Sequence, residues 1–144
     1  MSFNATLTWT PLVIQLTADC TPPITPAVVL AIIYIESKGN AGAINPHGEA
    51  TGLMQIMPKE SNPAVFGTRP TKAELLDPQT NITWGIRILQ VCLRGNRTLE
   101  EGLYYYSGGQ AWQDYDRYRR LYWRPFQKAR LQITRVMRTE VNDG

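Results

Sequence analysis

The sequence has few of the residues from which metal sites and disulfide frameworks are built, with one histidine and two cysteines among its 144 residues. Two cysteines cannot form a disulfide framework, and a zinc site is not expected with a single histidine. The longest apolar run, residues 28–35, is far shorter than the roughly 18 residues that a membrane-spanning helix needs. These absences argue against a zinc module and a membrane-spanning chain, and we expect no metal and no cofactor.

The sequence also shows no internal repeat, no low-complexity tract and, at its start, no basic stretch followed by an apolar one. We therefore expect one domain over residues 1–144 and no signal peptide.

The net charge of +3 is unevenly distributed, because residues 94–138 carry ten lysines or arginines against four acids. A basic helical segment over about residues 112–140 would fit either a solvated helix face or an anionic partner such as a wall polymer, an acidic lipid surface or a nucleic acid.

The hydrophobic pattern predicts an all-α chain. Thr25-Pro26 is typical of a helix start, and the apolar run that follows predicts a buried helix to Lys38, although its β-branched residues would also suit a buried strand. Helices are also predicted at 11–18, 71–76, 78–94 and from residue 98 through 106, two of them opened by capping boxes, and helical spacing recurs over 126–137.

Glu36 is the one carboxylate in the apolar helix that ends near Lys38. Burial disfavours the charged form, so we expect a raised pKa and a carboxyl group that can donate a proton near neutral pH. The alternative is a carboxylate that reaches solvent at the helix end.

Four motifs follow in order along the chain: Glu36-Ser37, the segment 52–58 (GLMQIMP), the helix start 77–82 (DPQTNI) and the segment 101–109 (EGLYYYSGG). Together they resemble the lytic transglycosylases of the SLT type, whose domain is similar to goose-type lysozyme. The resemblance implies an all-α, lysozyme-like single domain that takes peptidoglycan glycan strands as its substrate.

The resemblance also implies roles for individual residues. Glu36 matches the catalytic acid and base, and Tyr106 matches the tyrosine whose hydroxyl helps to hold it. Residues expected to bind substrate are Ser37, Asn45, Met54, Gln55, Tyr105 and Ser107. An equally weighted alternative for Gln55 is a structural amide that satisfies backbone groups in the segment 52–58. Departures from the family pattern are Asn45 in place of serine, Ser107 in place of asparagine and Gly108 in place of alanine.

The reaction that the resemblance implies needs a single carboxylate. Glu36 would protonate the oxygen between N-acetylmuramic acid and N-acetylglucosamine, the 2-acetamido group would stabilise the charge at C1, and the C6 hydroxyl would close onto C1 to give a 1,6-anhydro end. The runner-up is a lysozyme-type muramidase, in which Glu49 could supply a second carboxylate for hydrolysis. A third reading is a non-enzymatic module that binds wall polymer or nucleic acid through its basic segment.

The implied substrate lies outside the cytoplasmic membrane, so we expect the protein to act in the periplasm or cell wall. With no signal peptide visible, we expect a phage-encoded lysin delivered by a holin or by the virion. We expect a monomer without specific nucleic-acid binding.

Overall fold

Helices form the regular structure of the chain. The structure, a computed structural model, describes residues 2–61 and 69–143, with side chains described up to residue 140. The helices are α1 (Asn4–Leu7), α2 (Thr10–Thr17), α3 (Pro26–Ser37), α4 (Lys72–Leu75), α5 (Pro78–Cys92), α6 (Leu99–Ser107), α7 (Tyr115–Tyr118) and α8 (Arg124–Asp143), with a 3-10 turn at Gly109–Trp112 and a π-helical segment at Arg119–Trp123. The prediction of an all-α chain is confirmed. Residues 62–68, for which the sequence pattern predicts no helix, lie outside the described residues.

The central helix is α3, and its apolar sequence explains its burial on all sides. The Oγ1 of Thr25 accepts a hydrogen bond from the Val28 N–H, and Pro26 occupies the first helical position. The helix ends where Lys38 adopts a left-handed conformation, with φ of 54°. The helical alternative is therefore confirmed over the buried strand.

Helix α8 packs along α3 and closes one side of the core. Its apolar side chains Phe126, Ala129 and Ile133 are buried, which leaves the polar and basic residues between them on the outside. The segment 126–137 therefore packs back on the domain.

The segment 51–58 follows a turn after α3 and is tied to α5 by a buried asparagine. Asn81 accepts a hydrogen bond from the Met54 N–H at 2.8 Å and donates to the carbonyl oxygens of Thr51 and Leu75. Isolated β-bridges also join Thr51 to Ile44 and to Ile56. These contacts hold the segment next to the C-terminal end of α3.

Helix starts were the best-predicted local features. Both capping boxes, Thr71 with Glu74 and Thr98 with Glu101, form as the sequence indicates, and Asp77 caps α5. Helix α1 and the 3-10 turn were not predicted, whereas α7 and the π-helical segment lie within the stretch 112–140 that was predicted as helical, although its π-helical geometry was not. Within the part of the chain that the structure describes, no helix has the length and apolar character that crossing a bilayer requires.

Candidate active site

Glu36 lies in the last turn of α3 and is partly buried. Its Oε2 accepts a hydrogen bond from the hydroxyl of Tyr122 at 2.9 Å. Burial raises the pKa of Glu36 to about 7, and the Tyr122 hydrogen bond opposes this rise because it favours the charged form. The raised pKa predicted for Glu36 is thus confirmed, and near neutral pH the group can both donate and accept a proton.

Tyr122, which orients Glu36, comes from the π-helical segment between α7 and α8. Its ring is buried and stacks on Tyr118, with ring centroids 6.1 Å apart and planes at 21°. A buried ring in an aromatic cluster fixes where its hydroxyl points. Tyr122 was not predicted as a site residue, because its one signal in the sequence is its place among the many aromatic residues between positions 104 and 123.

Tyr106 does not hold Glu36 by a hydrogen bond, which corrects the role expected for it. Its hydroxyl donates to the carbonyl oxygen of Met54 at 2.8 Å. Burial first, and then the negative charge of Glu36, raise the pKa of Tyr106. Tyr106 therefore fastens the segment 51–58 beside Glu36, and Tyr122 supplies the orienting hydrogen bond.

Met54, which we expect to contact the sugar, has a fully buried side chain. The thioether packs against Gly85 of α5, where a Cβ atom would collide with it. An apolar side chain with no exposed surface cannot contact a bound ligand without rearrangement of the core. The residue acts through its backbone, since its N–H and C=O groups join Asn81 and Tyr106 to the segment.

Gln55 is partly exposed and has a left-handed backbone conformation with φ of 53°. Its Nε2 donates to the carbonyl oxygens of Gly52, at 3.0 Å, and Ala43, at 3.1 Å. The amide nitrogen of Gln55 therefore satisfies backbone groups, which is the structural role given above as the alternative. Its Oε1 has no hydrogen-bond partner among the described residues and is the group left to accept from a ligand.

Ser37 is buried and its hydroxyl is used inside the protein. The Oγ donates to the carbonyl oxygen of Leu53 at 2.8 Å, lies 3.0 Å from that of Ile33, and accepts from the Gly39 N–H. Because these contacts satisfy the hydroxyl, Ser37 joins α3 to the segment 51–58, and the structure does not present it to a ligand.

The remaining predicted binding residues lie in two places. Asn45 is exposed in the loop after α3, where its Oδ1 accepts from the His47 N–H at 2.9 Å. Ser107 ends α6, and its Oγ accepts from the Trp112 indole N–H at 2.9 Å. Tyr105 is 49% exposed, and the guanidinium of Arg97 lies over its ring at 4.1 Å. These three side chains do not contact Glu36.

The second carboxylate considered for hydrolysis, Glu49, is exposed and accepts a hydrogen bond from the Ser61 hydroxyl. The pKa of Glu36 is set by burial and by Tyr122, with no contribution from Glu49. Among the residues that the structure describes, no three histidine, cysteine, aspartate or glutamate side chains come together as metal ligands.

Comparison with known proteins gives one family and several relatives. The family described as "Transglycosylase SLT domain" matches residues 15–120, which include Glu36 and the segment 51–58 but end before Tyr122 and α8. A protein of Klebsiella pneumoniae named "Endo-type membrane-bound lytic murein transglycosylase A" is 39% identical over 75 residues, which are 49% of this chain and 36% of the relative. A Buchnera aphidicola protein named "Membrane-bound lytic murein transglycosylase E" is 40% identical over 63 residues, 40% of this chain and 28% of the relative. The chain thus matches about a third of the length of these relatives.

Proposed function

The chain belongs to the transglycosylase SLT domain family, and from this premise we propose that it is a peptidoglycan lytic transglycosylase with Glu36 as its catalytic residue. The observation that carries the proposal is the Glu36 carboxyl group, partly buried and oriented by Tyr122 at 2.9 Å. Murein transglycosylase is the activity named in the relatives' descriptions.

The proposed reaction uses Glu36 twice. The protonated carboxyl group donates its proton to the glycosidic oxygen between N-acetylmuramic acid and N-acetylglucosamine as the C1–O bond breaks, and the 2-acetamido group stabilises the positive charge at C1. The carboxylate then takes the proton of the C6 hydroxyl, whose oxygen bonds to C1. A pKa of about 7 suits both steps, because at neutral pH the carboxyl group of Glu36 is present in both its protonated and its charged form.

A single carboxylate supports the transglycosylase over the muramidase. Hydrolysis by the usual route needs a second carboxylate that acts as a base or as a nucleophile. The nearest candidate by sequence, Glu49, is exposed and hydrogen-bonded to Ser61. Substrate-assisted chemistry needs no such group.

Four of the residues expected to bind substrate remain in the proposal. Gln55 contacts the sugar through its free Oε1, while its Nε2 stays on the backbone. Asn45 contributes from the loop after α3, and Tyr105 and Ser107 contribute from α6. The exposed ring of Tyr105 offers a face for stacking on a sugar. Ser37 and Met54 hold the scaffold and do not contact the substrate.

Peptidoglycan as the substrate places the action of the protein in the periplasm or cell wall. Monomeric action, a phage origin and delivery by a holin or virion stay predictions from the sequence. The division of labour within residues 1–144 that we propose is a catalytic body with a basic helical segment at about 112–140.

Clearing of purified peptidoglycan sacculi tests the proposal with two matched variants. Glu36→Gln should fold normally and lose activity by roughly 10²–10⁴-fold, because the acid and base is removed. Glu49→Gln should stay within a few-fold of the unchanged protein, whereas a hydrolase that uses Glu49 would lose activity in both variants. A non-enzymatic module would bind sacculi in a salt-dependent way and clear none.

A further inference from the structure

A basic surface runs from the end of α3 along the outside of α8. We name it the basic strip, and it consists of Lys38, Arg120, Arg124, Lys128, Arg135 and Arg138, all of them exposed. None of these side chains forms a hydrogen bond or an ion pair with Glu36 or Tyr122, so the strip is separate from the proposed catalytic pair.

The strip starts at a cavity of about 410 Å³ between α3, the π-helical segment and α8. Four cationic side chains line this cavity, and its apolar lining includes Tyr34, Ile35 and Pro125. The cations are Lys38, Arg120, Arg124 and Lys128. A concave site with cations and an apolar floor suits an organic anion whose body packs while its charged end is paired.

Helical geometry continues the strip beyond the cavity. Arg124, Lys128, Arg135 and Arg138 lie at i, i+4, i+11 and i+14 on α8. At about 100° a residue they fall on one face within about 80°, over a length of about 21 Å. A line of charges of this length suits a partner whose anionic groups repeat.

The strip has little acid to neutralise it. Residues 117–139 contain no aspartate or glutamate. Arg120 pairs with the exposed Asp116 at 3.3 Å, and the Lys38 ammonium lies 4.4 Å from the ring centroid of Tyr34. In the described part of the chain, no carboxylate pairs with any of the four strip cations on α8, Arg124, Lys128, Arg135 and Arg138.

A lipid surface is the weaker candidate for this face. An interfacial helix inserts its apolar side, but that side of α8, with Phe126, Ala129 and Ile133, is buried against α3. The exposed apolar side chains near the cations are isolated ones, Leu121 and Leu131, which are 51% and 54% exposed. The strip therefore presents positive charges and hydrogen-bond donors to a partner, whereas the apolar face of α8 that could insert into a lipid bilayer is covered by α3.

We propose that the basic strip binds the carboxylates of peptidoglycan stem peptides and so holds the wall against the enzyme during cleavage. This inference rests on the proposed function, which makes the wall the substrate. Stem peptides repeat along each glycan strand and carry free carboxylates, and guanidinium groups pair with carboxylates in a bidentate manner. The strip starts at Lys38, the residue that caps the C-terminal end of the helix carrying Glu36.

Co-sedimentation with purified Gram-negative sacculi tests the inference without turnover, because every protein carries Glu36→Gln. The test variant adds Arg124→Gln and Lys128→Gln. Its matched control adds Arg87→Gln and Arg94→Gln, which remove two equally exposed charges outside the strip. At low salt the test variant should bind about tenfold more weakly, because two exposed ion pairs are lost, and the control should change less than twofold.

Chemical capping of the carboxylates identifies the partner group. Sacculi whose carboxylates have been amidated with ethanolamine should bind the Glu36→Gln parent at least tenfold more weakly, and the loss should be smaller for the test variant, which has already lost two of the six cations. Equal losses in the test and control variants would overturn the inference, as would binding that is indifferent to amidation. Tighter binding to anionic vesicles or to DNA than to sacculi would also overturn it. A wild-type protein that clears no sacculi would count against the proposed function alone, since the binding comparison needs no catalysis.

Discussion

The hydroxyl of Tyr122 donates a hydrogen bond to Oε2 of Glu36 at 2.9 Å, although 86 residues separate the two in the chain. Glu36 ends the buried helix α3, whereas Tyr122 comes from a π-helical segment beyond the stretch that the family matches. π-Helical turns inside helices are often found at functional sites, because the extra residue redirects a side chain. The carboxyl group of the site and the hydroxyl that orients it thus come from distant parts of the chain.

Tyr122→Phe should lower the rate of cleavage roughly tenfold or more, because a hydrogen bond to a charged group is worth about 1.5–3 kcal/mol. The variant should also change the pH profile. The Tyr122 hydrogen bond lowers the pKa of Glu36, so its loss should move the alkaline limb of activity to higher pH. The rate of sacculus clearing between pH 5 and 9 measures both effects.

Tyr118→Phe is the matched control for Tyr122→Phe. Tyr118 is buried in the same aromatic cluster, and its hydroxyl donates to the carbonyl oxygen of Glu100. Its loss should cost about 1 kcal/mol of stability and leave the pH profile unchanged. Equal shifts of the alkaline limb in both variants would show that Tyr122 acts only through packing.

The raised pKa of Glu36 should make stability depend on pH. Burial raises this pKa from an ordinary value of 4.5 to about 7, so between these values the folded protein binds more protons than the unfolded chain. The free energy of unfolding that Glu36 contributes therefore falls as the pH rises from about 4.5 to 7. Glu36→Gln should be more stable than the unchanged protein by about 2–3 kcal/mol at pH 8, with little difference at pH 4. Urea unfolding of both proteins at the two pH values measures this, and a pH-independent difference would contradict it.

Asn81 should be the polar residue whose loss destabilises the site region most. Asn81→Ala leaves the Met54 N–H and the carbonyl oxygens of Thr51 and Leu75 without their partner. The expected loss is about 2–4 kcal/mol of unfolding free energy. Gln79→Ala, on the exposed face of the same helix, should stay within about 0.5 kcal/mol. Similar urea midpoints for the two variants would contradict the account of Asn81.

Gln55→Met separates the two roles assigned to Gln55. The variant keeps the length of the side chain but loses the donors to Gly52 and Ala43. Its free energy of unfolding should therefore be lower by about 1–2 kcal/mol. It also loses the Oε1 that accepts from the sugar, so the KM for soluble glycan strands should rise a few-fold. A stability loss with unchanged KM would leave Gln55 a purely structural residue.

Local signals in the sequence were enough for much of the fold. The helix α3 follows from Thr25-Pro26 and the apolar run, and the start of α5 follows from Asp77, because a cap and a hydrophobic pattern act within a few residues. The elevated pKa of Glu36 could be predicted for the same reason, since its apolar neighbours on one helix already determine its desolvation.

Contacts between distant parts of the chain could not be predicted in this way. Tyr106 and Tyr122 are both tyrosines in one aromatic-rich stretch, and their spacing does not say which hydroxyl reaches Glu36 and which reaches Met54. The π-helical segment changes the register that ordinary helical spacing would give. Met54 shows the same limit, because an apolar residue in a binding motif can serve that motif through its backbone while its side chain fills the core.

Digestion of purified sacculi in ¹⁸O-labelled water, with the released muropeptides then weighed, decides whether Glu36 promotes closure of the C6 hydroxyl onto C1. Closure consumes no water, so we expect 1,6-anhydro ends that are lighter than hydrolysis products by one water and carry no ¹⁸O. These products should be absent from the Glu36→Gln digest. Reducing ends that carry ¹⁸O would contradict the account and show that the protein is a muramidase.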